Sequence, residues 1–66
     1  MTRAMKAHRS AELAHERAAT THDHAGDFWE ERGNPQHATV ERGLAEADRQ
    51  GAVVERQRYT EKERDL

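Results

Sequence analysis

Five histidines in 66 residues are the most chemically capable feature of this chain. His8, His15 and His22 recur every seven residues, and Met1 and Trp29 continue the same stripe. Imidazole ligates first-row metals and changes charge near neutral pH, so those are the two chemistries to weigh. On a helix, residues seven apart are about 10.5 Å apart along the axis, too far to share one ion. A shared ion needs spacings of three or four. Glu12-Leu13-Ala14-His15 supplies one Glu-x-x-His, with His8 one turn before Glu12. Di-metal four-helix bundles use such motifs together with lone Glu residues from other helices. A metal-binding bundle of dimerised hairpins, using His8, Glu12, His15 and Glu55, is therefore one reading. Against it, only one motif is present, and Glu12 points away from the Ala seam described below.

The plainer reading makes His8, His15, His22 and Trp29 a half-polar contact stripe that packs on another protein or on a second copy. Charging the imidazoles in acid is then expected to weaken that association. Trp29, beside a helix end, is expected either to anchor the closed end of a hairpin or to serve as a hot spot for a partner.

Nothing else resembles a reaction centre. Ser10 has His8 nearby but on the wrong side, and Thr20, Thr21 and Thr39 have no evident base. There is no Gly-rich loop to cradle phosphate. A non-enzyme without a cofactor is the expectation. Arg3, Lys6 and Arg9 precede any acidic residue and form a small basic patch, which allows a ribosome- or nucleoprotein-associated factor as a third reading. A net charge of −2 weighs weakly against nucleic acid without excluding it. The chain has no Cys, so thiolate sites and disulfides are excluded. No apolar run approaches the roughly 20 residues that span a bilayer, and 1–6 lacks the apolar core of a signal peptide. A cytoplasmic location without membrane contact is expected by default.

The elements that must carry these residues are helices. Phe28-Trp29-Glu30-Glu31-Arg32-Gly33-Asn34-Pro35 reads as one helix ending and another beginning. Gly33 suits the left-handed residue after a helix end, Asn34 caps the next helix, and Pro35 fits its first position. Helix 1 is expected over about 2–32, the turn at 33–34, helix 2 over about 35–60, and a frayed tail at 61–66. Ala4, Ala7, Ala11, Ala14, Ala18, Thr21, Ala25, Phe28 and Arg32 step by three and four, as do His37, Val40, Leu44, Ala47, Gly51, Val54 and Arg58. Folding the chain back at the turn brings these two rows to matching levels. Ala25 then meets Leu44, Ala14 meets Val54, and Ala18 meets Gly51, small against large or small against small. The expected fold is all-α, an antiparallel two-helix hairpin whose seam is these rows, with Phe28, Trp29, Val40 and Leu44 closing the turn end. Gly51 either lies within helix 2 or stops it after Gln50; the phase of Val54 favours continuation.

Only 33% of residues are hydrophobic and many of those are Ala, while 36% are charged and mean hydropathy is −1.26. So small a core is expected to be completed by self-association or by a partner.

The span from His22 to Glu46 resembles one tetratricopeptide-type hairpin. Gly26, Trp29, Gly33, Ala38 and Ala45 fall where that repeat favours Gly, an aromatic, Gly, Ala and Ala. Arg42 and His22 depart from it, helix 1 runs about twenty residues too far upstream, and no second copy follows. The resemblance implies protein or peptide binding and no catalysis. The run Ala14 to Ala19 with the Phe-Trp-Glu and Gly-Asn-Pro segments also resembles small Ala- and His-rich helical proteins of actinobacteria, which implies no activity. Taken together, the residues point to a small non-catalytic helical interaction module: an accessory subunit, adaptor or inhibitor of a larger assembly, or a homo-oligomer.

Overall fold

The computed structural model describes residues 1–64, and they form two long helices joined by one tight turn. Helix α1 spans Arg3–Glu31 and α2 spans Pro35–Arg64. They pack along their lengths as an antiparallel hairpin 52 Å long. Among the described residues, no helix is long and apolar enough to cross a membrane.

The ends follow from local chemistry. Thr2 caps α1, its Oγ1 accepting from the Met5 N–H at 3.1 Å. At the other end Gly33 adopts φ 79°, the Asn34 N–H donates to the Trp29 carbonyl at 2.9 Å, and the Gly33 N–H donates to the Glu30 carbonyl at 3.0 Å. That pair of bonds is a Schellman motif, and it satisfies two carbonyls the helix end would otherwise strand. Asn34 Oδ1 then accepts from the His37 N–H at 3.0 Å, capping α2 one residue after α1 is closed. Helix α2 continues through Gly51. It also runs to Arg64, past the expected end near 60, so 61–64 are helical; the remainder of the expected frayed tail, Asp65 and Leu66, lies outside the described residues.

The seam is displaced from the expected one by a single residue on each helix. Met5, Glu12, Ala19 and Gly26 of α1 are buried against Ala38, Ala45 and Ala52 of α2. Half-buried beside them run His8, His15, His22 and Trp29, opposite Glu41, Asp48 and Glu55. The rows expected to meet are turned outward: Val40 is 59% exposed, and Phe28 and Leu44 are each 45% exposed. Of the four residues expected to close the turn end, only Trp29 does so. Neighbouring rows on one helix share the same three-four spacing and differ by about 100° of rotation, so periodicity alone does not choose between them. The choice is made by pairing. The inner rows set Ala19 and Gly26 against Ala38 and Ala45, and polar side chains against polar partners, which lets the backbones approach closely. The outer rows bring in Phe28, Val40, Leu44 and Val54, too large for that spacing.

Candidate interaction faces

Three surfaces result, and each takes its residues from heptad-spaced rows. The first lies between the helices. His8 Nδ1 donates to Glu55 Oε2 at 2.5 Å, His15 Nδ1 to Asp48 Oδ1 at 2.9 Å, and His22 Nδ1 to Glu41 Oε2 at 2.7 Å. Looser contacts link the upper rungs: His22 Nε2 is 3.7 Å from Asp48 Oδ2, and His37 Nε2 is 3.5 Å from Glu41 Oε1. The result is a ladder in which imidazoles and carboxylates alternate. At the turn end Trp29 stacks on His37 with ring centroids 4.1 Å apart and planes within 12°, while Phe28 meets Trp29 edge-on at 5.1 Å.

The stripe expected to meet a partner is therefore engaged within the chain. Its imidazoles face carboxylates rather than one another, so a charge placed on them meets an opposite charge across the seam.

The residues weighed for a metal are not brought together either. Glu12 is buried, and its Oε2 accepts from Arg56 Nε at 2.9 Å instead of facing His8 or His15. His8 and His15 stand on separate rungs, with Glu55 beside the former only. Among the described residues, no three His, Cys, Asp or Glu side chains are placed to hold one ion.

The second surface is charged and lies on one flank of the seam. Arg42, Arg49 and Arg56 recur every seven residues along α2 and each reaches across to α1. Arg42 Nη2 donates to Glu30 Oε2 at 2.5 Å and to Asp27 Oδ1 at 3.2 Å, Arg49 pairs with Asp23, and Arg56 holds Glu12. Donating to Glu30, and next to Asp27, pushes the Arg42 pKa up; donating to Glu12 does the same for Arg56. The basic cluster expected at the N-terminus is only partly free. Arg3 and Lys6 are exposed, while Arg9 donates to the Tyr59 hydroxyl at 3.3 Å and lies over that ring.

The third surface is the displaced seam itself. Stepping back one residue from the buried rows rotates by about 100° on each helix. Because α1 and α2 are antiparallel, the same backward step turns both rows to the same side of the hairpin. Ala4, Ala7, Ala11, Ala14, Ala18, Thr21, Ala25 and Phe28 thus lie on the same side of the hairpin as Val40, Leu44, Ala47, Gly51 and Val54, opposite the Arg-bridged one, and the His–carboxylate ladder runs between the two rows. No charged residue interrupts either row over these positions. The phase of the rows was legible in the sequence, but their role was assigned to the inside of the hairpin.

No family model, no curated protein and no solved structure matches the chain.

Proposed function

We propose that the chain is a small non-catalytic interaction module, an accessory subunit, adaptor or inhibitor of a larger protein assembly, and that it docks through the apolar face. The observation that supports this is an inversion of packing. The buried hydrophobic residues are Met5 and four alanines, whereas Leu13, Phe28, Val40, Leu44, Val53 and Val54 are all exposed. Four of those six, Phe28, Val40, Leu44 and Val54, lie on that face, and covering a Val, Leu or Phe side chain is worth about 1.5–3 kcal/mol. An apolar surface of this extent marks an interaction site more often than an idle surface. The resemblance of 22–46 to a tetratricopeptide-type hairpin, which implies protein or peptide binding, points the same way.

The test compares two substitutions on opposite faces. Leu44→Lys places a charge in the apolar face, and Val53→Lys places the same charge on the Arg-bridged flank. The proposal expects Leu44→Lys to abolish association, with itself or with a co-purifying protein, and Val53→Lys to leave it intact. A cooperatively melting monomer whose associations survive Leu44→Lys would overturn it.

A further inference from the structure

We propose that the apolar face is covered at its turn end by a basic segment of another protein, one whose apolar side chains are flanked by Lys or Arg. The inference rests on the docking face proposed above. It adds which part of that face is bound and the chemistry of the occupant.

The turn end is where the two outer rows join. Over most of the hairpin the His–carboxylate ladder runs between them and keeps them apart. Beyond the His22–Glu41 rung, aromatic rings take over the seam. Phe28 meets Trp29 edge-on, and Trp29 stacks on His37. His37 lies three residues before Val40, and Val40 four before Leu44, spacings that make neighbours on a helix surface. Phe28, Trp29, His37, Val40 and Leu44 therefore form one continuous path from α1 to α2. Phe28, Val40 and Leu44 are each about half open to water along it.

Charge selects the occupant. Residues 18–47, the half of the hairpin nearer the turn, carry Asp23, Asp27, Glu30, Glu31, Glu41 and Glu46 against Arg32 and Arg42. The rest of the chain has nine Lys and Arg against seven acids. Both turn-end arginines are engaged within the chain: Arg42 by Asp27 and Glu30, and Arg32 over the Phe28 ring at 4.1 Å. Arg49 reaches in from the other half to Asp23 and still leaves the turn end acidic. At the patch itself, Glu31 stands exposed three residues from Phe28. Glu41, next to Val40, is held by imidazoles rather than by a Lys or Arg. An apolar patch in a negative field draws in a partner whose apolar residues come with cations, and gives those cations carboxylates to meet. The same field repels phosphate, so nucleic acid and anionic lipid do not suit it. A second copy meeting the patch with its own turn end would bring like charge to it.

The test uses the intact chain and two model amphipathic peptides of equal length and spacing, one of Leu and Lys and one of Leu and Glu. Trp29, the sole Trp and part of the patch, reads binding by fluorescence. The proposal expects the Leu/Lys peptide to bind and the Leu/Glu peptide to bind about tenfold more weakly or less. That difference should shrink as ionic strength rises from about 0.01 to 1 M and the screening length falls from about 30 to 3 Å. Glu31→Lys and Leu44→Lys should each weaken the Leu/Lys peptide about fivefold or more. Glu61→Lys, the same charge change at the exposed far end, and Val53→Lys should do less. No binding of the Leu/Lys peptide, or equal binding of the two peptides, overturns the proposal. Equal effects of Glu31→Lys and Glu61→Lys also overturn it, because the attraction is then to the whole chain. In each of these cases the docking face stands if Leu44→Lys still abolishes association. Peptide binding that ignores Leu44→Lys overturns both readings. A chain that doubles its mass in light scattering, and loses the doubling with Leu44→Lys, makes a second copy the occupant and overturns the partner named here.

Discussion

The His15 imidazole lies edge-on against Gly51, so close that a Cβ at position 51 would stand 3.0 Å from both Cε1 and Nε2 of the ring. The same ring is held at its other nitrogen by Asp48. A helix-interior glycine that ordinarily costs about 1 kcal/mol relative to Ala is here the space that lets a ladder rung form. Two glycines of α2 therefore have opposite expected responses. At Gly43 an added Cβ meets nothing within 4 Å, so Gly43→Ala should stabilise by about 0.5–1 kcal/mol. Gly51→Ala should destabilise, because the imidazole must leave Asp48 to make room. Combined with His15→Ala, the same substitution should become stabilising. Thermal melts of the four chains of that cycle measure the coupling.

The Glu12 carboxylate is the only buried charge of the described residues, 3% exposed, and Arg56 is its cation. Removing the guanidinium leaves a buried carboxylate short of a partner, so Arg56→Ala should cost about 1–3 kcal/mol in denaturant unfolding. Arg49→Ala breaks a pair that is exposed on both sides, and should cost no more than about 1 kcal/mol. Glu12→Gln keeps the shape and removes the charge. It should weaken the effect of Arg56→Ala and so separate the charge from the packing of the Arg stem.

How much of this was legible depends on what kind of signal each residue carries. The helix ends were, because Gly33, Asn34 and Pro35 each act on the two or three backbone groups beside them. The hairpin was, because the short connection from Glu31 to Pro35 leaves two long helices little else to do. The choice of seam was not, because rows one residue apart share one period and the Ala rows look more like a core than a row of His does. The deciding signal was present but relational. His8, His15 and His22 repeat every seven residues in one helix, and Glu41, Asp48 and Glu55 repeat every seven in the other, with Ala38, Ala45 and Ala52 between. Complementary polar heptads at matching levels outweigh apolar periodicity when the apolar residues differ in size across the seam. His37, the stacking partner of Trp29, carried no signal of its own.

Trp29 gives a local probe of the closed end, since it is the sole Trp. Its stack on His37 should contribute about 0.5–1.5 kcal/mol. His37→Ala should shift Trp29 emission to longer wavelength and lower the unfolding midpoint by that amount, leaving helix content unchanged. His24→Ala, at an exposed position of α1, should do neither. Equal shifts from both would mean the fluorescence reports general loosening rather than the stack.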